Sequence, residues 1–311
     1  MASVTLTESA KLALNELVAG VIENVITVNH FFSVLPFDGI DGNALAYNRE
    51  NVLGDADVFG VDDTITTKAA ATFNNVTSSL TSIIGDAEVN GLIQATRSGD
   101  GNDQEAIQIA SKAKSVGRKF QNMLLNGTGS SNQFSGLLGL VDSSQIIYQD
   151  TSGNDTDGGN LTFEKLDYLI DLITDKDGEV DYLIMHQRTI RSYYALLRAL
   201  GGASIGDVVT LPSGKTVPGY RGIPIFRNDW MPITQTRGAA STCTTVLAGT
   251  LDDGSRTHGI AGLTAQNAAG IIIEPVGVSE TKDNTITRVK WYCGLALFSL
   301  KGLAALSGVK N

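Results

Sequence analysis

The feature that most constrains the fold is one long amphipathic segment, residues 103–126. Asp103 is a good helix N-cap and Asn126-Gly127 is a good stop signal, so we expect one helix between them. At 1.5 Å per residue that helix is about 35 Å long. Its apolar side chains fall in one stripe at 100° per residue. The stripe consists of Ala106, Ile109, Ala110, Ala113, Val116, Gly117, Phe120, Met123 and Leu124. This segment predicts the strongest helix of the chain.

Cationic side chains of the same helix lie outside the apolar stripe. They are Lys112, Lys114, Arg118 and Lys119. Two interpretations stay open, a solvated helix face or weak contact with nucleic acid. The net charge of −10 argues against tight binding to phosphates, because that requires a concentrated basic face.

A second unit spans residues 38–84 and has extended flanks on either side of a polar tip. The flanks are residues 43–52 and 72–84. The tip carries the acidic residues Asp55, Asp57, Asp62 and Asp63. Strand, tip and strand predict a long hairpin, and few large apolar residues at its end leave it little core of its own. We therefore expect it to lie on a neighbour, since an isolated hairpin of this length is not stable.

The rest of the chain mixes helices and strands without a regular βαβ alternation, which favours an α+β fold. Thr162 caps a predicted helix that runs through Ile173, and residues 187–200 are predicted to form another. Strands are predicted at residues 182–185, 245–248, 270–274 and 285–300.

Four of the six prolines lie between Leu211 and Pro232. Each fixes φ and removes a backbone donor, so we expect a rigid loop that feeds a short strand at Gly222–Phe226. Ser213-Gly-Lys-Thr216 resembles the end of a phosphate-binding loop, but Val209 stands where that motif needs a glycine. The segment predicts a fixed shape and no phosphate site.

No catalytic or metal-binding constellation is evident in the sequence. His30, His186 and His258 have no metal-ligand spacing. The acid pairs Asp62-Asp63 and Asp252-Asp253 have no nearby apolar wall that would raise one pKa. We therefore expect no enzyme activity, no cofactor and no metal.

The two cysteines and the apolar runs bear on the compartment. Cys243 and Cys293 are predicted to be buried thiols in a reducing compartment, with a disulfide left open as the alternative. The N-terminal residues lack the basic start and apolar core of a signal peptide. The longest apolar run, near Cys293–Leu300, is far short of the ~20 residues that span a bilayer. We expect a soluble cytoplasmic protein with no membrane partner.

The serial order of these elements resembles the major capsid proteins of tailed bacteriophages, which have the Hong Kong 97-type fold. The resemblance covers nearly the whole chain. The residues that carry it are the long helix, Gly136-Leu-Leu-Gly-Leu140, Gly222-Ile-Pro-Ile-Phe226 with Met231-Pro232, and Thr287–Gly294. The domains that it implies are an N-terminal arm at 1–37, an extended loop at 38–90, a peripheral domain with the spine helix at 91–135, an axial domain at 136–255, and closing strands shared by both domains at 256–311.

The resemblance implies a structural protein that self-assembles, as hexamers and pentamers, into an icosahedral shell around double-stranded DNA. It implies a place in the virion capsid, assembly in the host cytoplasm, and only weak contact between the subunit and the packaged DNA. A portal, a separate scaffolding protein and a decoration protein are the implied partners. The alternative within the same fold is an encapsulin-type nanocompartment, which encloses protein cargo.

The extended loop supplies the candidate contacts between subunits, Asp55, Asp57, Asp62, Asp63 and Lys68. Some members of the family form a covalent Lys–Asn bond between subunits, helped by a carboxylate. Lys68 is the only lysine of the loop, and no residue marks an asparagine partner or a catalytic glutamate. We therefore expect a noncovalent shell.

Overall fold

The structure, a computed structural model, describes residues 30–67, 69–97, 103–150, 157–175, 178–200 and 208–310. The predicted arm before residue 30, and Lys68, lie outside the described residues. The helices are α1 Gly91–Arg97, α2 Gln104–Asn126, α3 Leu137–Leu140, α4 Phe163–Thr174 and α5 Gln187–Ala199. The strands are β1 Phe37–Ile40, β2 Ala44–Val52, β3 Thr72–Ser79, β4 Thr81–Asn90, β5 Ile146–Tyr148, β6 Gly159–Asn160, β7 Tyr182–Met185, β8 Val208–Thr210, β9 Thr216–Tyr220, β10 Ile223–Arg227, β11 Gln235–Arg237, β12 Ala240–Gly249, β13 Ile260–Ala265, β14 Ile272–Val278, β15 Asn284–Leu297 and β16 Leu303–Lys310.

The long helix α2 confirms the signals at both of its ends. The Asp103 carboxylate accepts a hydrogen bond of 3.0 Å from the Glu105 N–H, as an N-cap should. The Gly127 N–H donates back to the Met123 carbonyl at 2.8 Å. Ala106 and Ala110, which belong to the predicted stripe, are exposed. Apart from Gln104, the buried residues of α2 begin at Val116, so its second half is the better covered.

Helix α2 packs on a five-stranded sheet, which we call the peripheral sheet. Its strand order is β1-β13-β15-β14, and β4 pairs with β15 along ten registered positions, from Asn90↔Asn284 to Thr81↔Cys293. Phe120 of α2 packs against Trp291 of β15 in a tilted arrangement, with ring centroids 4.5 Å apart. Both rings are buried, so this pair ties the helix to the sheet.

A second sheet of nine strands, the axial sheet, has the order β5-β16-β12-β7-β10-β9-β8, with β11 beside β12 and β6 beside β16. All four residues of β7 are buried, as its apolar run predicted. Helices α4 and α5 cover one face. Thr162 caps α4 through a bond of 3.4 Å from the Lys165 N–H, which confirms the predicted start of that helix. The described structure is therefore mixed α+β.

Two neighbouring phenylalanines join the axial sheet to the peripheral sheet and its helix α2. Residues His30–Ser33 form a 3-10 helix at the start of the described chain. Phe31 packs against Tyr182 and Phe226 of the axial sheet, with centroids 4.8 and 5.5 Å away. Phe32 contacts Phe120 and Trp291 of the peripheral layer at 5.8 and 5.9 Å. One dipeptide therefore links the axial sheet to the long helix.

Strands β2 and β3 form a separate two-stranded sheet, with a register from Ala44↔Ser79 to Val52↔Thr72. This confirms the predicted hairpin. Its limits differ from the predicted extended loop at 38–90. Residues 37–40 pair with β13, and residues 81–90 pair with β15, so both lie in the peripheral sheet. Long-range pairing decides this assignment, and it leaves no local signal in the sequence.

The proline-rich segment contains more strand than the sequence indicated. Residues 216–220 form β9, which lies between β8 and β10. Arg221 and Gly222 both have positive φ, 52° and 81°, and make the tight turn from β9 to β10. The segment that resembles the end of a phosphate-binding loop, Ser213-Gly-Lys-Thr216, begins in the turn from β8 to β9. There the Leu211 N–H donates to the Lys215 carbonyl at 2.8 Å.

Candidate assembly surfaces

The base of the β2–β3 hairpin is fixed to the body of the subunit by two side chains of β2. The Tyr47 hydroxyl donates to the Leu297 carbonyl at 2.7 Å, and the Arg49 Nε donates to the Phe298 carbonyl at 2.9 Å. The Arg49 guanidinium also donates to the Leu297 carbonyl. The Tyr47 ring lies edge-on to Phe298, with centroids 5.3 Å apart. We call these two residues the Tyr47–Arg49 clamp.

Two clefts lie beside the base of the hairpin. A cleft of about 260 Å³ is lined by Tyr47, Arg49 and Leu297, among others, and a second of about 310 Å³ is lined by Gly42, Leu80 and further residues. Gly42 has φ of +99°, and the Leu80 N–H donates to the Asn43 carbonyl at 2.9 Å where the two strands leave the body. The hairpin is therefore oriented by the clamp together with Leu45 and Tyr47, which pack on the small buried cluster that contains Ile40 and Phe298.

The distal part of the hairpin, residues 53–71, exposes large apolar side chains. Val58 and Val61 are each 95% exposed and Leu53 is 77% exposed. Ile65 and, on β3, Phe73 are also largely exposed. The expectation that the tip carries few apolar residues is therefore wrong. These apolar residues could be read from the sequence, but only the structure shows that no part of the described chain covers their side chains.

Three of the four acidic candidates of the tip hold its backbone turns. Asp55 accepts from the Ala69 N–H at 2.6 Å, Asp57 from the Val58 N–H at 2.8 Å, and Asp63 from the Gly60 N–H at 2.6 Å. Asp62 has a positive φ of 68° in the turn between them. These residues shape the tip, and their contact with another subunit stays a prediction. The fifth candidate, Lys68, lies outside the described residues.

The peripheral sheet has a second exposed apolar surface along strand β14. Ile273, Val276 and Val278 are about half exposed or more, although Ile273 pairs with the fully buried Val289. Pro275 removes one N–H from the free edge, and the pairing is irregular between Pro275 and Gly277. Both features disfavour the addition of another strand. This edge is therefore suited to side-chain contacts.

The four cations of α2 do not form one continuous patch. The Arg118 guanidinium lies over the Trp230 ring, 5.4 Å from its centroid, and is half-buried. Lys112 packs beside Gly85 of β4. Lys114 and Lys119 are exposed. Of the four candidate DNA-facing cations, Arg118 and Lys112 therefore pack against their own subunit, and Lys114 and Lys119 are exposed.

An ion pair on the outer face of the peripheral sheet fixes the register of β4 and β15. Arg288 donates two hydrogen bonds to the Asp86 carboxylate, at 2.8 and 2.9 Å. These bonds, reinforced by the positive charges of Arg288 and Lys112, hold the pKa of Asp86 below its usual value. The pair is therefore a structural contact between strands.

A cleft with several titratable groups lies where the two sheets meet. It encloses about 580 Å³ and is lined by Glu179, Asp181, Asp253, His258 and Lys301, with further residues. Burial raises the pKa of Asp181, whose carboxylate accepts from the Leu251 N–H at 2.7 Å. Among the described residues, no group of three or more His, Cys, Asp or Glu side chains could hold a metal ion.

The remaining reactive side chains have structural positions. Cys243 and Cys293 are buried free thiols, and burial raises the pKa of Cys293 to about 12. His186 caps α5, because its Nδ1 accepts from the Arg188 N–H at 3.0 Å. Burial lowers the pKa of His186, which favours the neutral ring that this cap requires. No helix in the described ranges is long and apolar enough to cross a membrane.

No protein-family model matches the sequence, and no curated protein matches it either. Solved structures do match the fold. The holo-SrpI encapsulin complex from Synechococcus elongatus PCC 7942 is 18% identical, with a TM-score of 0.74, over 99% of this chain and 97% of that chain. The capsid of the native GTA particle is 11% identical, with a TM-score of 0.65, over all of both chains. Mycobacterium phage Ogopogo matches at 14% identity and a TM-score of 0.63, over 98% and 99%.

These similarities extend over essentially the full length of each chain, which excludes a match to one isolated motif. At these identities they establish the fold, which is the Hong Kong 97-type fold, and they leave the contents of any shell open. The α+β class predicted from the sequence is confirmed.

Proposed function

We propose that this chain is the major capsid protein of a tailed bacteriophage, a subunit that self-assembles into an icosahedral shell around double-stranded DNA. The fold supports a shell subunit. The choice of a DNA-filled capsid rests on the resemblance in the order of elements along the sequence.

One observation carries the shell proposal, the exposed apolar surface of the distal hairpin. Full burial of one Val, Leu, Ile or Phe side chain contributes about 1.5–3 kcal/mol. Leu53, Val58, Val61, Ile65 and Phe73 together therefore represent a large unfavourable exposure in an isolated subunit. No described part of the subunit covers this surface, so a neighbouring copy is the natural partner.

The proposed partners follow from the same assignment. They are other copies of the chain in hexamers and pentamers, with a portal, a separate scaffolding protein and a decoration protein. The shell is noncovalent, and packaged DNA is contacted weakly, through the exposed Lys114 and Lys119. The subunit is made and assembled in the host cytoplasm and resides in the virion capsid.

In a denaturing gel, purified particles should give a single band of monomer size, and a ladder of multimers would contradict the noncovalent shell.

The second candidate is a nanocompartment that encloses protein. It is favoured by the encapsulin match, whose TM-score of 0.74 exceeds the 0.65 of the GTA capsid. Both candidates require the same subunit contacts and differ in what the shell contains. The chain's net charge of −10 is compatible with either content.

The contents of particles from the native host decide between the two candidates. Intact particles are treated with nuclease, opened, and analysed for DNA and for co-purifying protein. Protected double-stranded DNA of uniform length supports the phage capsid. Particles that contain a defined protein and no protected DNA support the nanocompartment and contradict the phage capsid.

A further inference from the structure

The two helices that cover one face of the axial sheet carry opposite charges. Helix α4 and its C-cap contain Glu164, Asp167, Asp171 and Asp175 against one base, Lys165. Helix α5 contains Arg188, Arg191 and Arg198 and no acidic residue. Both helices bury their apolar residues in the same cluster, so their outer faces are on the same layer of the molecule. One layer therefore presents an acidic helix and a basic helix.

Side chains on the outer face of α4 form a regular stripe, in which Asp171 is half-buried and the other three are exposed. Glu164, Tyr168, Asp171 and Asp175 follow one another at intervals of four, three and four residues, which places them on one helix face. Tyr168 is 49% exposed. Asp167 lies off this stripe, because it accepts hydrogen bonds from Tyr220 at 2.8 Å and Arg221 at 3.1 Å within its own subunit.

The outward side chains of α5 repeat the same spacing. Gln187, Arg191, Tyr194 and Arg198 are also four, three and four residues apart, and Tyr194 is 39% exposed. Arg188 is off the stripe and donates to the Thr242 carbonyl at 2.8 Å. In the described part of the chain, no ion pair involves Glu164, Asp171, Arg191 or Arg198. The charges of both stripes therefore remain available to another molecule.

The two stripes are complementary when the helices run antiparallel. Glu164 then faces Arg198, Tyr168 faces Tyr194, and Asp171 faces Arg191. Each acid meets a base, and the two exposed tyrosines meet at the centre, where aromatic pairs add to the contact. A parallel arrangement would place Glu164 opposite Gln187, Asp171 opposite Tyr194 and Asp175 opposite Arg198, which forms one acid–base pair instead of two and separates the tyrosines.

We propose that α4 of one copy docks antiparallel on α5 of a second copy, with Glu164–Arg198 and Asp171–Arg191 as ion pairs around a Tyr168–Tyr194 contact. The surface is heterologous, because two different faces of the chain meet, and such contacts close into rings when the rotation permits. The proposal rests on the proposed shell function. It names the surfaces through which neighbouring copies would contact each other, beside their axial sheets, within one hexamer or pentamer.

Charge-swap variants test this contact. Glu164→Lys with Asp171→Lys makes both stripes basic, and Arg191→Glu with Arg198→Glu makes both acidic. Like charges across an interface disfavour association, so each double variant should raise the concentration needed for assembly by at least about tenfold. The four-site variant that carries both sets restores complementarity and should assemble as the wild type does. Lys215→Glu with Lys282→Glu matches the charge change of the Arg variant at two exposed positions on other surfaces and should assemble normally.

A mixture of the two double variants provides a readout that does not need shells. The all-basic copy can pair only with the all-acidic copy, so sedimentation velocity should show mixed dimers or larger even-numbered species absent from either variant alone. Circular dichroism and thermal unfolding confirm that each variant is folded.

No association in the mixture, or wild-type assembly by either double variant, would overturn the proposal. If the basic stripe bound nucleic acid instead, only the Arg191/Arg198 variant would behave differently. If the wild type formed no shell while the mixture associated, the proposed function would fail and the contact would stand.

Discussion

The Tyr47 hydroxyl donates a hydrogen bond of 2.7 Å to the Leu297 carbonyl, 250 residues further along the chain. Its acceptor is a backbone atom, as are the Leu297 and Phe298 carbonyls that accept from Arg49, so these bonds depend on the path of the chain at the end of β15. Together with the packing of Leu45 and Tyr47 on the buried cluster that contains Phe298, they orient a hairpin that has its own separate sheet.

The clamp can be removed without disturbing the hairpin pairing. Tyr47→Phe with Arg49→Met keeps the ring and the aliphatic stem but removes the three donors. Each lost hydrogen bond reduces local stability by about 1 kcal/mol. Amide exchange in β2 and β3 should accelerate several-fold relative to β7, which hydrogen–deuterium exchange with mass spectrometry measures.

Asn75→Ala serves as the control for the clamp. It removes an exposed bond of 3.1 Å to Asn48 inside the hairpin and leaves the base intact. Equal exchange in the clamp variant and the wild type would show that the base contacts do not orient the hairpin.

Deletion of residues 53–66 tests the role of the distal hairpin. These residues make no strand pair with either large sheet, so the monomer should remain folded, with an unchanged thermal midpoint within a few degrees. Assembly should be abolished, because the exposed apolar surface is lost. Replacement of Val58 and Val61 by Ser is the milder version and should weaken assembly without blocking folding. A deletion variant that fails to fold would place the tip in the subunit core.

The Phe31–Phe32 link predicts unequal effects of two adjacent substitutions. Phe31 is fully buried, so Phe31→Ala should lower the free energy of unfolding by about 3–5 kcal/mol. Phe32 is 38% exposed, and Phe32→Ala should cost clearly less. Urea denaturation of both variants measures the difference. Equal losses would contradict the deeper burial of Phe31 against Tyr182 and Phe226.

The lowered pKa of Asp86 gives a pH dependence with a defined sign. A carboxyl group whose pKa is depressed in the folded state contributes stability above its unfolded pKa of about 3.9, and this contribution is lost as the pH falls through the folded pKa. Asp86→Asn should therefore have a lower unfolding midpoint than the wild type at pH 7, and the two should converge in acid. Glu50→Gln, at an exposed position of β2, should show no such convergence. A constant difference between Asp86→Asn and wild type at every pH would contradict the Arg288 contact.

The sequence predicted the features that depend on local signals. The caps at Asp103 and Thr162, the buried run at Tyr182–Met185 and the hairpin pairing were all accessible, because each reflects neighbouring residues or a short repeat. The pairing of residues 81–90 with β15 was not, since strand partners are chosen by contacts far apart in the chain. Pro218 obscured β9, because proline within a strand normally indicates an edge or a loop.

Surface features were the least predictable part of the candidate site. The acidic tip residues were chosen for their charge, yet three of them accept bonds from nearby backbone N–H groups. The sequence shows that Val58 and Val61 are apolar, but it does not show that they are exposed, because exposure depends on how the rest of the chain packs. The matched stripes of α4 and α5 likewise required the packed faces to be known first.

The most direct test of the central claim is electron microscopy of the purified chain, with and without a candidate scaffolding protein, at near-physiological salt. We expect closed, uniform icosahedral shells in at least one condition, built from the distal hairpin and axial contacts described above. Only monomers or small oligomers in both conditions, from protein shown to be folded, would contradict the shell function.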